Sequence, residues 1–555
     1  MYGPGLENIG RAQRPENCPI PTPSADQLLV RVDAVSLCLS DIKLIQQGGN
    51  HPKLYHRDLS IEPTRLGHEV SLTIMQVGEN LSSKYTPGQR VAIQPDIYHQ
   101  GLSTAYGYTI PGGLIRYHLV GEEILSGDGG NYLLPVMDVL GYAEAALTEP
   151  WACVVAAYTQ RRRLSPRPGG VMWLLGHPGD DIDYQFSAGL DAPSLVVTTD
   201  IPGNLLKLVK DRLASHAGSL IIRDGLFNYD YTKLPLEFPT RFDDIVLLDP
   251  RSAQMVSAAA GLLSRRGTFN LVGRLPLDGG PSIDLGRIHY DYVAYVGTRG
   301  PDIADAYGEA RNRCELREGG IALFVGAGGP MGQMHIQRAL EMPGGPSTIL
   351  ATDINPIRLE VLKDRFHRLA DKRGVRLVLS DSNQESLRDF ALRETRQRGA
   401  DDCIVCVPSA NLMSEASRLL SHDGMLVLFA GVPIGTVAPL NLSNVYLHNT
   451  QFTGTSGSAI SDQLAILHAA QQGTLSPARS VAAIGGMEAA HDGILALMEG
   501  RFPGKVVIFP QLSGLPLVGL SDLKNVAPHV AACLSTDGIW THQAEVKLIE
   551  EYWKP

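Results

Sequence analysis

The chain has 555 residues, of which 44% are hydrophobic, and a formal net charge of −10. That length accommodates about two to four domains of roughly 100–200 residues, and the acidic balance excludes a broad nucleic-acid footprint. The opening "MYGPGLENIG" lacks the basic flank and apolar core of a signal peptide, no apolar run reaches the ~18 residues of a membrane helix, and seven scattered cysteines fit a reducing compartment. The expectation is a cytoplasmic protein with no nucleic-acid or membrane partner.

Along the chain, "QLLVRVDAV" (27–35), "EVSLTIMQVG" (69–78) and "QRVAIQPDI" (89–97) alternate or run apolar, with turn residues between them. They read as strands of a small β-barrel. "YAEAALTEPWACVVAAYTQRRR" (142–163) has helical spacing, and its closing run Arg161-Arg162-Arg163 reads as a solvated helix end.

From Val171 strands alternate with helices, the pattern of a parallel sheet covered on both faces. "VMWLLG" (171–176), "SLVVTTD" (194–200), "FDDIVLLD" (242–249), "GTFNLVG" (267–273) and "DYVAYVGTRG" (291–300) form one set. "IALFVG" (321–326), "STILATD" (347–353), "ADDCIVCV" (400–407), "GMLVLFAG" (424–431) and "TQFTGTSGS" (450–458) repeat it in order. Asp200 pairs with Asp353, Lys210 with Lys363 and Asp211 with Asp364; further on, Gly297 pairs with Gly454 and Asp305 with Asp462. Five blocks in one order at nearly one offset mean a duplicated α/β domain.

The copies differ where a dinucleotide would sit. The second reads "GAGGPMG", with Gly326, Gly328, Gly329, Met331 and Gly332, and Asp353 ends the next strand. Glycines let the backbone approach a diphosphate, the helix N-terminus supplies N–H donors, and the aspartate accepts from ribose hydroxyls. A carboxylate there repels a 2′-phosphate, so NAD is favoured over NADP, although Arg358 is near in sequence. Pro408, Ser409, Val432 and Thr455 follow the later strands and are candidates to hold the nicotinamide. The first copy reads "GHPGDDID": Pro178 removes an N–H, and Asp180, Asp181 and Asp183 would repel a phosphate or complement a helix start without a ligand. This copy is expected to be structural.

A metal constellation precedes the repeats. "CLSD" gives Cys38, Ser40 and Asp41, "GHE" gives His68 and Glu69, and "EP" gives Glu149. Thiolate, imidazole and carboxylate together suit Zn²⁺ with one position left for water or substrate, where an alcohol oxygen would lose its proton more easily. Cys403 and Cys406 form a CxxC, but inside a buried strand, which argues against redox use.

These motifs, with "VGENLSSKYTPGQRVAIQPD", "GG" ahead of "RYH" and the terminal "GKVVIFP" (504–510), resemble the zinc-dependent medium-chain dehydrogenase/reductase family, in particular its polyol, sugar and sorbose-phosphate-reductase-like members. The resemblance implies a GroES-like barrel with one Rossmann domain, and this chain departs from it in carrying two; the expected fold is α/β plus a β-barrel, with a GroES-like catalytic barrel (1–165), a degenerate Rossmann repeat (166–315), an NAD-binding Rossmann repeat (316–470), a return to the barrel (471–512) and a tail (513–555). It implies Cys38, His68 and Glu69 as ligands of one catalytic zinc, with Glu149 a fourth ligand or one acting through water. Ser40 would relay the substrate proton and Asp41 would orient His68, while Lys43 stands where some relatives have a relay histidine; His51 and His56 are nearby. The structural-zinc cysteines of many relatives are missing between Gln94 and Tyr117, so no second zinc is expected. The leading expectation is a zinc- and NAD-dependent oxidoreductase acting on a secondary alcohol of a polyol, sugar or sugar phosphate, with a homodimer possible and the repeats paired within the chain. The alternative is a non-catalytic binding or scaffold protein that keeps the fold.

Overall fold

In a computed structural model of the chain, the described residues are 1–159, 162–216, 218–225, 241–309, 313–455 and 457–553. They fall into two compact units: Met1–Ala156, Gly328–Met342 and Gly457–Pro555 form one, Ala157–Ala327 and Pro343–Ser456 the other. No helix among the described residues is long and apolar enough to cross a membrane.

The first unit opens with strands β1 (Leu28–Ser36), β2 (Glu69–Val77), β3 (Arg90–Ile93), β4 (Tyr117–Val120) and β5 (Leu133–Pro135). β1 pairs antiparallel with β2 from Leu28↔Val77 to Ser36↔Glu69, with register shifts after Leu29 and Val32. Such irregularities bend a strand. The sheet curves over a core that includes Val30, Val32, Leu72, Ile74, Val91, Ile93 and Tyr106. Helix α1 (Leu39–Gln47) follows β1. The single helix expected over 142–163 is two: α2 (Tyr142–Ala146) and α3 (Thr148–Ala156). Pro150 explains the break, since its ring crowds the carbonyl four residues back, at Ala146.

The second unit holds two parallel sheets. The first has β6 (Val171–Leu175), β7 (Leu195–Thr199), β8 (Ser219–Ile222), β9 (Phe242–Leu248), β10 (Leu263–Val272) and β11 (Ala294–Thr298), in the order β8-β7-β6-β9-β10-β11. The second has β12 (Ile321–Val325), β13 (Thr348–Asp353), β14 (Arg376–Asp381), β15 (Ala400–Val405), β16 (Leu420–Leu428) and β17 (Gln451–Gly454), in the matching order β14-β13-β12-β15-β16-β17. This is the doubly wound dinucleotide-fold order, twice. Between β12 and β13 runs helix α4 (Pro330–Glu341), which clusters with the first unit. The first repeat has no helix at the corresponding place between β6 and β7; instead Tyr184, Phe186 and Leu190 cover that face of the sheet. The helix start expected at "GHPGDDID" is therefore an irregular segment.

The arginine run also differs from expectation. Arg161 lies outside the described residues, and α3 ends at Ala156, before the run begins. Arg163 forks onto the buried Asp244 carboxylate at 3.1 and 3.2 Å and onto the Asp243 carbonyl at 2.7 Å. Arg313 repeats this in the second copy, bonding Asp402 and the Asp401 carbonyl. The likeness extends to neighbours. Arg167 N donates to Asp244 as Arg317 N does to Asp402, and Val171 N to Asp243 as Ile321 N does to Asp401.

The repeats meet edge to edge through reciprocal contacts. Ser282–Asp284 pairs antiparallel with Val437–Pro439, Ile283 opposite Ala438. Gly297 in β11 leaves room for Tyr446, while Gly454 in β17 leaves room for His289; Gly273 and Gly431 do the same for Tyr446 and His289 respectively. These glycine contacts correspond between the copies, as in an isologous dimer interface.

The chain then returns to the first unit with β18 (Val481–Gly486), β19 (Lys505–Phe509) and β20 (Val518–Gly519), and ends in helix α5 (His542–Tyr552). β19 pairs with β1 through Val35↔Ile508 and Ser36↔Val507.

A Cβ on Gly297 would stand 2.6 Å from the Leu271 carbonyl oxygen and 2.7 Å from Tyr446 Cβ. Gly297→Val, although good for strand propensity, should lower unfolding free energy by about 1–3 kcal/mol through overpacking. Gly300→Ala, whose nearest neighbours are 3.5 Å away, should stay within about 0.5 kcal/mol. Denaturant unfolding of both variants checks this.

Candidate active site

Cys38 ends β1's extension and precedes α1, whose third residue, Asp41, turns back so that its Oδ2 accepts from Cys38 N at 3.0 Å. Asp41 Oδ1 accepts from Gly67 N at 3.1 Å. Gly67 has φ +89, and a Cβ there would lie 2.7 Å from Val35 Cγ1, so glycine fits this turn. The turn delivers His68 and Glu69 to the start of β2. The ligand atoms of Cys38, His68 and Glu69 all lie within 4.8 Å of one another, the one such group among the described residues. Ser40 Oγ lies among them, 3.0 Å from Cys38 Sγ and 3.2 Å from His68 Nε2. His68 Nδ1 faces Asp41 Oδ1 at 3.5 Å.

These residues fit a zinc ion. Sulfur, nitrogen and oxygen donors are present together, and bonds of about 2.0–2.3 Å gather such a set with a modest inward closing. Glu69 Oε2 is buried and has no hydrogen-bond partner, while Oε1 takes Lys505 Nζ at 2.6 Å. Burial opposes protonation of His68, but Asp41 and Cys38 outweigh it and raise its pKa well above the ordinary range.

Glu149, on α3, is buried but stands outside the 4.8 Å set. Burial pushes its carboxyl up to about 7, opposed by His68 and reinforced by Glu69 and Asp96. Cys153, one turn on, donates to it at 3.7 Å. Of the loop histidines, His51 lies 5.1 Å from the Tyr108 ring and His56 is exposed; Lys43 is exposed on α1.

In the second unit, Gly326, Asp353, Pro408, Ser409, Val432 and Thr455 all follow or end parallel strands at their carboxyl ends, the edge where such sheets bind ligands. Gly326 has φ +76, and its Cβ would fall 2.3 Å from Val407 Cγ1. Gly326 N and Ala327 N both donate to the Thr352 carbonyl at 2.9 Å. Asp353 Oδ1 accepts from Asn355 N at 2.9 Å, and Arg358 N bonds the Asn355 cap of its helix. Ser409 caps the helix Ala410–Ala416; Val432 and Thr455 are buried. Gly328 and Gly329 close the loop ahead of α4, Gly329 as its N-cap, and Met331 and Gly332 lie in its first turn. α4 packs on α3 within the first unit. In the first repeat, His177 bonds Asp249 at 2.8 Å and Asp249 is held by Arg251, while Asp180 accepts from Tyr184 and Asp200 from Gly225 N. Asp183 accepts from Asn204, and Asp181 and Pro178 lie in the irregular segment.

The family model for the alcohol dehydrogenase GroES-like domain matches residues 24–126, and that for zinc-binding dehydrogenase matches residues 330–470. The chain is 30% identical over 312 residues to L-sorbose 1-phosphate reductase of Klebsiella pneumoniae, covering 53% of this chain and 74% of that one. It belongs to the zinc-type medium-chain dehydrogenase/reductase family. A mannitol-1-phosphate 5-dehydrogenase of Aliivibrio fischeri is 23% identical over 545 residues, 96% of this chain and 94% of its own, so that alignment runs through both repeats. The fold is also that of 2R,3R-butanediol dehydrogenase from Bacillus subtilis, at TM-score 0.50 and 14% identity, covering 89% of this chain and 95% of that one.

As a zinc-type dehydrogenase of this family, the chain is an alcohol or polyol dehydrogenase-type oxidoreductase, and the zinc-binding dehydrogenase model falls on the second repeat alone. Sequence reasoning missed two residues that support its site. Lys505, inside "GKVVIFP", carried one signal, a cation opening an otherwise apolar strand. Glu545, in the tail, is buried and accepts from the free N–H groups of Tyr142 and Ala143 at the start of α2, a cap supplied by a distant helix.

Both ends of the Lys505–Glu69 pair are within 5% of full burial. In metal-free protein, Lys505→Met should cost about 3–5 kcal/mol, because it strands a buried carboxylate. Adding Glu69→Gln should recover much of that loss. Denaturant unfolding after chelation tests both.

Proposed function

We propose that this chain is a zinc-dependent, NAD-linked oxidoreductase exchanging hydride with a secondary alcohol of a polyol, sugar or sugar phosphate. The observation that carries the reading is the convergence of Cys38, His68 and Glu69 donors around the Ser40 hydroxyl. The names of the relatives, a sorbose-phosphate reductase and a mannitol-phosphate dehydrogenase, support the substrate class.

Cys38, His68 and Glu69 would hold the metal, with Glu149 beside them. Bound there, zinc supplies Lewis acidity at the alcohol oxygen and NAD supplies the hydride acceptor. Ser40 bonds at the substrate oxygen and moves its proton outward. Asp41 fixes the His68 ring, and its two backbone hydrogen bonds fix Asp41. Lys505 holds Glu69 by one oxygen and leaves the other for the ion. The loop 326–329 and α4 receive the diphosphate, and Asp353 accepts from the ribose hydroxyls. The first repeat, with no helix between β6 and β7, offers no such N-terminus and serves as a structural partner.

Purified protein should contain about one zinc per chain and reduce NAD in preference to NADP with polyols or their phosphates. Ser40→Ala should keep its zinc and lose about 10²–10⁴-fold in kcat. Asp41→Asn should weaken metal affinity or activity by about 10–100-fold. Zinc-loaded protein that turns over no alcohol with either nucleotide would leave the scaffold reading.

A further inference from the structure

Three groups share the Tyr108 ring. His68 stands 5.9 Å from its centroid, His51 5.1 Å, and Lys53 Nζ 4.9 Å. His68, which holds the Ser40 hydroxyl at 3.2 Å, and the Lys53 ammonium thus share one tyrosine ring. Lys53 is held in place from three directions. Its backbone N bonds His51 Nδ1 at 3.2 Å, its carbonyl accepts from Thr109 at 2.5 Å, and its ammonium bonds Asp96 at 2.7 Å. Its side chain nonetheless keeps 34% of its exposure.

The geometry points to Lys53 as the group that receives the phosphate of a phosphorylated substrate, making polyol or ketose phosphates the preferred class. This rests on the reading above and narrows it. An ammonium has three donors; Asp96 takes one and fixes the direction of the others. A dianion complements the donors that Asp96 leaves on the ammonium, whereas an unphosphorylated polyol brings no charge to them.

The test compares a hexitol phosphate with the free hexitol, by turnover and by calorimetric binding, in wild type, Lys53→Met and Lys53→Arg. Wild type should prefer the phosphate. Lys53→Met should lose about 10–100-fold in affinity and kcat/KM for it, through KM, and change little on the free hexitol. Lys53→Arg should recover part of the preference. Equal losses on both substrates, or no loss, overturn the assignment even where the enzyme is active. If wild type binds the phosphate through Lys53 but turns over nothing, the oxidoreductase reading fails and the phosphate site stands. Lys53→Met that unfolds, judged by its melting curve, shifts the decision to Lys53→Arg and to whether inorganic phosphate competes only with the phosphorylated ligand in wild type.

Discussion

A lysine ammonium 2.6 Å from a carboxylate, both shut away from water, ties the two ends of this fold together. Glu69 opens the second strand of the barrel; Lys505 opens the strand that arrives after both repeats. The pairing of β19 with β1 sets that strand beside the metal set. Neither charge is tolerable alone in such surroundings, so the ion pair requires the chain to come back to this register. It also divides the two oxygens of Glu69, one bonded to the lysine and the other left without a hydrogen-bond partner. The Cys38–His68–Glu69 cluster is thus gathered from residues near the start of the chain and braced by one near its end.

The duplication answers a different constraint. A parallel sheet of this kind ends in an exposed strand, and an exposed edge invites pairing with another chain. Here β11 and β17 lie against each other inside one polypeptide, flanked by the short Ser282–Asp284 and Val437–Pro439 pair. The glycines at 297 and 454 let the chain at Tyr446 and at His289 of the opposite copy approach each strand, and Gly273 and Gly431 leave room for the two rings. The contact has the symmetry of a homodimer with none of its dependence on concentration.

Much of this was legible in the sequence, because period and offset are properties of the chain alone. The barrel strands, the two sets of five strands and the Cys38–His68–Glu69 grouping follow from alternation and from motif order. What was not legible depends on residues far apart. Lys505 is partnered across more than four hundred positions, and Glu545 caps a helix four hundred residues earlier. The edge strands β8 and β14 are short or partly polar and gave no clear period. The first repeat's missing helix was hidden because its aspartates imitate a helix start, and the segment length leaves room for one. Pro150 is visible in the sequence, but that it splits the helix over 142–163 depends on its place in the first turn of the second segment, and the hold of Asp244 on Arg163 depends on a residue 81 positions away.

The likeness between the repeats is uneven along the strands. At the amino ends of the strands the two copies agree bond for bond: arginine on aspartate, backbone N–H on the preceding aspartate, and Ser264 and Ser421 on Asp243 and Asp401. At the carboxyl ends they part. Where the second copy has Gly326 under Val407 and a helix to follow, the first has His177 closed onto Asp249, with Arg251 behind, and an irregular cover of aromatic side chains. In a parallel sheet the amino ends anchor the fold and the carboxyl ends bind. The first copy keeps the anchoring end, while at its carboxyl edge His177, Asp249 and Arg251 bond one another.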